Sequence, residues 1–393
     1  MEEKLRMGRK LKMGMVGGGI GAFIGGVHRK AAALDGLIDL ACGAFDVDPE
    51  KSLEAGKLLF LPEDRVYGTY EEMFANEKSL PEGERMDFVS IVTPNHVHFP
   101  VAKAALENGF HVVCEKPMTL TAKEAEELSS LVEKTGLSFA VTFTYTGYPM
   151  VKQARHMISN GDLGKIRKVI VEYPQGWLST RLETENQQAS WRVDPKKAGP
   201  AGAMGDIGSH SLNLAEYISG LRVTEICADL SSMVEGRALD DDTSALLRFD
   251  NGARGLLHAS QICAGEENAL RIFIYGEKGG IEWHQHEPNT LLVKFLGKPV
   301  QVYRTGVDRG YVSDIAMHNT RVPGGHPEGY IEAFANIYRN FALSLGSLIQ
   351  GEKPAPETID YPDVQEGLRG MKLIETVIAS AKDDERKWTS VLK

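Results

Sequence analysis

Cysteine is scarce in this sequence: four residues in 393, Cys42, Cys114, Cys227 and Cys263, far apart and with no Cys-x-x-Cys pair. There is no disulfide framework in that spacing. Three of the four sit in apolar, strand-like runs, where cysteine is a small buried hydrophobe, and a reducing cytoplasm is the expected location. Long apolar runs are also missing. None approaches the ~18 residues of a membrane span. The start, "MEEKLRMGRKLKMGMVGGG", is basic, but its apolar stretch is short and ends in glycines, which reads as a leading tail and a strand rather than a secretory signal. An excess of positive charge is absent too. Lys and Arg total 44 against 54 Asp and Glu, a net charge of -10, and no basic cluster offers a local exception. Nucleic acid is therefore not the expected partner. No internal repeat or low-complexity tract is visible.

What is present is ordinary for a globular protein: 42% hydrophobic and 25% charged residues. The length favours two domains. Up to residue 143 apolar strands alternate with helices. "LKMGMV", "LIDLACGAF", "DFVSIVT", "FHVVCE" and "SFAVTF" read as strands, with helices after the glycines, from Pro49, from His98 and over "TAKEAEELSSLVEKTG". Near-continuous apolar strands joined by helices mean a parallel sheet covered on both faces. From residue 144 onward, one helix leads into long alternating strands joined by tight turns such as "FDNGAR" and "GEKGG". Helices return at about 327–350 and 363–382. The expected fold is α/β: a doubly wound parallel-sheet Rossmann domain over 1–143, and an α+β domain with a large, mainly antiparallel open sheet over 144–393.

"MVGGGIGA" directly follows the first strand. It supplies Gly17, Gly19 and Ala22 in a form of the dinucleotide fingerprint, with Ile20 and Gly21 between. Small residues there let the backbone approach a pyrophosphate on the next helix N-terminus. Asp46, at the tip of the second strand, would accept from an adenosine ribose hydroxyl and repel a 2′-phosphate, which favours NAD over NADP. Asp48, before Pro49, is the expected cap of the following helix. "TPNHVH" closes the third strand, where ligands collect in a doubly wound sheet. Thr93, Pro94 and Asn95 would wall the ribose and nicotinamide, with His98 opening the next helix near the cofactor.

The glycine loop, "TPNHVH", "CEKP" and "GDIGSH", in this order, resemble the Gfo/Idh/MocA family of oxidoreductases. The resemblance runs from about Met13 to Tyr338. It implies NAD(P) binding and hydride transfer to or from sugars and cyclitols. One departure stands out: "FIGGVH" reaches His28 about three residues later than the family's glycine loop usually does. The resemblance also implies roles: His210 as general acid/base, Asp206 as its partner in holding the substrate hydroxyl, and Lys116 as the third member. It suggests a cis Lys116–Pro117 bond. Trp191 and Arg192 resemble the family's pair near the nicotinamide, where Arg192 would clamp the cofactor amide or a substrate hydroxyl, or else form a structural ion pair.

The residue types suit that chemistry. Oxidising a secondary alcohol needs a base for the hydroxyl proton, and a histidine titrates in the right range. Asp206 and His210, four apart, share a helix face. An ammonium at Lys116 stabilises developing alkoxide. Glu115 is placed toward the nicotinamide side. Tyr145 and Tyr148 follow the last strand of the first domain and face the cleft in this reading, and Asn213 lies one turn past His210 toward substrate. No third residue has the spacing to complete a metal site with Asp206 and His210. The leading expectation is an NAD-dependent dehydrogenase of a pyranose, anhydrosugar or cyclitol, unphosphorylated because strong anion sites are few. The length and the loop "WLSTRLETENQQ" look most like the family's longer members of levoglucosan dehydrogenase type. Two alternatives stand beside it: a glycosidase-type enzyme using transient C3 oxidation and elimination, and a nucleotide-sensing scaffold without turnover. A homo-oligomer, dimer or tetramer, through the open sheet is expected.

Overall fold

Five strands form the first sheet: β1 (Leu11–Gly17), β2 (Ile38–Ala44), β3 (Phe88–Val92), β4 (His111–Cys114) and β5 (Phe139–Val141). Their order is β2-β1-β3-β4-β5, all parallel. Every residue of β3 is buried, as expected for a strand covered on both faces. The connections are helical: α1 (Phe23–Leu34), α2 (Pro49–Leu58), α3 (Tyr70–Ser79), α4 (His98–Glu107) and α5 (Ala122–Thr135). Asp48 caps α2 by accepting from the Glu50 N–H, as the sequence suggested. Thr69 caps α3, a helix the sequence reading passed over. The computed structural model describes residues 7–392. Among them, no helix is long and apolar enough to cross a membrane.

The second sheet has nine strands. β6 (Ile166–Pro174), β7 (Val223–Ser231), β8 (Asp242–Phe249), β9 (Arg254–Ser260), β10 (Arg271–Gly276), β11 (Gly279–His284), β12 (Thr290–Phe295), β13 (Gln301–Arg304) and β14 (Thr389–Ser390) run in the order β13-β12-β11-β10-β6-β9-β8-β7-β14. Only the β6–β9 pair is parallel. The Asn251–Gly252 turn joins β8 to β9, with Gly252 at φ +90. Burial alternates along β8: Thr243, Ala245, Leu247 and Phe249 are buried, whereas Ser244 and Leu246 are exposed. That is the signature of one covered face. The cover includes α6 (Pro149–Ser159) and α7 (Ser209–Ser219), with α7 packed on α6, β6 and β9.

The chain divides into two units, but not at a single boundary. The first contains the chain up to Thr119, then Lys123–Thr144 and Tyr330–Leu368; the second contains Leu120–Ala122, Tyr145–Gly329 and the chain from Arg369. The sequence reading had placed everything after residue 143 in the second domain. The difference lies in α8 (Tyr330–Ile349). Its Phe334, Tyr338 and Phe341 are buried in the same cluster as Leu11, Met13, Val27 and Phe88. Phe341 meets Phe88 of β3 edge-on at 5.2 Å between ring centroids. Each such aromatic contributes about 2–3 kcal/mol by leaving water, so this helix belongs with the parallel sheet and helps to cover it.

Candidate active site

Strand order reverses between β1 and β3, where Gly17 pairs with Val92. A ligand crevice opens at that point in doubly wound sheets. The glycine loop lies there, and its glycines are required by contact. A Cβ on Gly17 would sit 2.8 Å from the Thr93 Cγ2, and one on Gly19 would sit 2.8 Å from the Phe45 carbonyl oxygen. The third small residue is not Ala22, as the fingerprint suggested. Ala22 is the N-cap of α1. The close helix–loop packing is made by Gly25, where a Cβ would fall 2.4 Å from the Gly18 Cα. Of "FIGGVH", all six residues lie in α1, with Gly25 against the loop. Ile20, in the loop, is 53% exposed.

The start of α1 suits an anion. It has no side-chain cap and no acidic residue in its first turn, whereas α2 and α3 have both. Its free N–H groups and helix dipole favour a pyrophosphate. Thr93 Oγ1 is buried with no hydrogen-bond partner among the described residues, a polar atom that a ribose or nicotinamide group would satisfy. Asp46 accepts from the Asp48 N–H through Oδ1 at 3.0 Å, and Gly19 N–H donates to Phe45 O beside it. These residues fit NAD. Pro94 is half-buried and Asn95 buried in the turn Asn95–Val97 that leads into α4.

His98 and Glu115 are placed otherwise than expected. His98 is buried, its Nδ1 2.9 Å from Pro117 O and its Nε2 2.9 Å from Thr93 O. Burial pushes its pKa down, against the pull of those carbonyls. With both nitrogens turned to backbone, His98 ties the turn after Thr93 to the one at Pro117. Glu115 faces inward as well. Its Oε1 is 2.7 Å from His28 Nε2 and accepts from the Thr142 hydroxyl at 2.6 Å. Burial alone would raise its pKa, but His28, the Lys116 ammonium and Thr142 outweigh it and hold it down to about 2. Lys116 follows at the end of β4, and Lys116–Pro117 is cis, as the sequence suggested.

In the second unit, "MGDIG" forms a π turn, Met204–Gly208, that runs directly into α7. The sequence reading had a plain helix. π turns recur at functional sites. Asp206 sits in this turn, and its Oδ2 accepts from Arg192 Nε at 3.1 Å and from Gln261 Nε2 at 2.9 Å. Arg192 is therefore engaged with Asp206, the ion-pair alternative of the sequence reading. Its guanidinium also lies 4.3 Å over the Trp191 ring and 5.8 Å over Trp177. His210 is 8% exposed. Its ring meets Tyr145 edge-on at 4.8 Å and Tyr173 at 6.4 Å. Asn213, one turn on, is buried in α7.

Tyr145 and Tyr148 are less open than expected. Tyr148 is core, packed on Trp283 at 5.3 Å. Tyr145 is 4% exposed. Its hydroxyl bonds to Tyr173, and Asn268 Nδ2 donates to it at 3.1 Å. It serves as a wall behind His210. The sequence reading missed Gln261, Tyr173 and Asn268. Gln261 directly follows β9, and the end of a strand was the one available signal. It also missed Asp240. That carboxylate accepts from the Gly202 and Met204 N–H groups, each at 2.7 Å, and so caps the π turn from a distant loop. Burial pushes the Asp240 pKa up, against those N–H groups.

Comparison with known proteins shows the family. Residues 11–143 match the model of an oxidoreductase family with an NAD-binding Rossmann fold, and residues 151–282 match the GFO/IDH/MocA C-terminal domain. The chain belongs to the Gfo/Idh/MocA family. It is an oxidoreductase with an NAD-binding Rossmann domain. Within the family it is similar to the uncharacterized oxidoreductase YfiI of Bacillus subtilis, 37% identical over 95% of each chain. It is also similar to an inositol dehydrogenase homolog from Azotobacter vinelandii. That protein's complex with NAD+ gives a TM-score of 0.92 at 36% identity over 97% of both chains. Its complex with NADH and myo-inositol gives 0.91 at 35% over 98% of both. Levoglucosan dehydrogenase of Pseudarthrobacter phenanthrenivorans is 29% identical over 73% of this chain and 77% of its own.

Proposed function

We propose that the protein oxidises a secondary ring hydroxyl of an unphosphorylated cyclitol, sugar or anhydrosugar to a ketone, with NAD as acceptor. The observation that carries this reading is the π turn. It holds Asp206 between Arg192 and Gln261 and sets His210 against a wall of two tyrosines. Bound NAD supplies the hydride acceptor. His210 takes the hydroxyl proton as the carbon–hydrogen bond gives up its hydride. Asp206 orients the same hydroxyl, and Arg192 and Gln261 hold Asp206 in place. The Lys116 ammonium stabilises negative charge developing on the oxygen. Asp46 selects NAD through the adenosine ribose. A cyclitol leads the substrate classes because the inositol dehydrogenase homolog with bound myo-inositol is similar along nearly its whole length. The outward face of β8, with Leu246 exposed, is where a second copy of the chain would pair.

The test is a panel of myo-inositol, scyllo-inositol, glucose, xylose and levoglucosan, each with NAD and with NADP. NADH formed with at least one ring substrate, faster than NADPH, supports the reading. Release of an aglycone from a glycoside without net NADH would replace it with redox-assisted elimination. Tight NAD binding without turnover on any member would remove the enzyme assignment.

A further inference from the structure

Five polar side chains are buried together in the nucleotide unit: His28 of α1, Ser90 of β3, Glu115 after β4, Thr142 after β5, and Tyr338 of α8. Each is at most 8% exposed. A buried polar group left unpaired costs about 1–3 kcal/mol, so a set of this size persists only when its members satisfy one another. They do. Tyr338 OH lies 2.6 Å from His28 Nδ1 and 2.8 Å from Ser90 Oγ. His28 Nε2 lies 2.7 Å from Glu115 Oε1, and Thr142 donates to the same oxygen.

The chemistry gives the set a direction. Glu115, with its pKa near 2, is a carboxylate and can only accept. His28 Nε2–H therefore donates to it. The other ring nitrogen, Nδ1, faces two hydroxyls, Tyr338 OH at 2.6 Å and Ser90 Oγ at 3.2 Å. Those two hydroxyls also bond to each other. The line ends at Glu115 Oε2, which accepts from the backbone N–H of Lys116 at 3.2 Å. On the far side of the same turn, His98 Nδ1 lies 2.9 Å from Pro117 O. The lysine backbone is thus fixed from both flanks.

We propose that Tyr338 is a positioning residue for Lys116. Acting through His28 and Glu115, it fixes the turn that presents the lysine, which makes α8 a working part of the nucleotide unit. The proposal rests on the reading of Lys116 given above. It does not involve the pyrophosphate end of α1, because His28 lies beyond that helix's first turn.

The experiment compares Tyr338→Phe, Ser90→Ala, Phe341→Leu and Lys116→Met, using NAD with myo-inositol or whichever panel member yields NADH. Tyr338→Phe keeps the ring and removes only the hydroxyl. It should lower kcat about tenfold, equivalent to about 1.4 kcal/mol, with KM and the NAD Kd within about twofold. Ser90→Ala, one bond further out, should lower kcat by about threefold and decides the matter if Tyr338→Phe does not fold. Phe341→Leu, on the same helix but outside the network, should lower Tm and leave kcat at 25 °C unchanged. Wild-type kcat in both Tyr338→Phe and Ser90→Ala, beside a dead Lys116→Met, overturns the positioning role alone. An equal kcat loss in Phe341→Leu reduces the effect to general destabilisation and overturns it too. Full turnover in Lys116→Met removes the reading of the lysine on which the proposal stands.

Discussion

Two helix starts in this protein carry its candidate chemistry, and they are built in opposite ways. The α1 start has no side-chain cap and no acid in its first turn. The π turn before α7 is closed by Asp240, whose two oxygens take the Gly202 and Met204 N–H groups. An open helix start is a binding device, because its N–H groups and dipole await an anion. A closed one cannot bind an anion through its backbone, so what it offers are side chains, here Asp206 and His210. The difference teaches where to read function at a helix terminus: in the backbone where caps are missing, and in the side chains where caps are supplied.

The comparison can be broken at each end. The largest effect is expected at the closed end, in the side chains. His210→Ala should lower kcat by ~10²–10⁴ while calorimetry finds the NAD Kd unchanged, as expected for a lost general base; wild-type turnover would take His210 out of the role. Closing the open end comes next. Ala22→Asp supplies α1 with the cap and negative charge it lacks. NAD affinity should fall by about tenfold or more, while Tm holds or rises slightly. An unchanged Kd would place the pyrophosphate elsewhere.

Opening the closed end should do less. Asp240→Asn keeps one acceptor and sets an NH2 against the other N–H, so about 1–2 kcal/mol of stability is expected to go. A drop in kcat of roughly fivefold should accompany it at constant NAD Kd. A raised Kd without loss of kcat would contradict the separation of the two ends. Smaller still, Asp46→Ala should weaken NAD several-fold and NADP hardly at all; equal losses would mean that the ribose does not use Asp46.

The two units also differ in their buried carboxylates, and pH sharpens the contrast. Glu115 has a depressed pKa, near 2 against the ordinary 4.5. It adds stability above about pH 4.5 that is lost as pH falls toward 2. Asp240 has a raised pKa, so its contribution is present at acid pH and declines as pH rises through its folded value. Urea denaturation at pH 5 and pH 3 should therefore show a smaller acid loss in Glu115→Gln than in wild type, by about 1–2 kcal/mol. In Asp240→Asn the acid loss should be undiminished. Parallel curves for Glu115→Gln and wild type would show that Glu115 is not held as its partners imply.

Much of this was legible in the sequence, for physical reasons. Apolar runs and turn residues locate the strands of both sheets except β14, because periodicity and burial are local properties. Gly17 and Gly19 were visible because backbone constraints select particular residues at fixed spacing, and the cis Lys116–Pro117 bond was suggested by the family resemblance. What escaped depends on distant partners. Ala22 looked like the third small residue until the Gly18–Gly25 approach was seen. His98 and Glu115 looked like cofactor contacts, and their nearness to Thr93, Pro117, His28 and Thr142 could not be read from spacing. Tyr338 is 310 residues from the histidine it meets. Apolar periodicity could announce α8, but it could not say which sheet the helix would cover. Nor does composition reveal Asp240 as a cap, since its acceptor role exists only after the chain returns to Gly202.

The central claim is that an open phosphate end and a closed acid–base end together run hydride transfer from a ring hydroxyl to NAD. The most direct test is the initial rate of NADH formation with myo-inositol and the other panel members, in wild type and His210→Ala side by side. The account predicts NADH from at least one ring substrate in the wild type and a rate lower by ~10² or more in the variant. Equal rates in the two proteins, or no NADH from any ring substrate in the wild type, would contradict it.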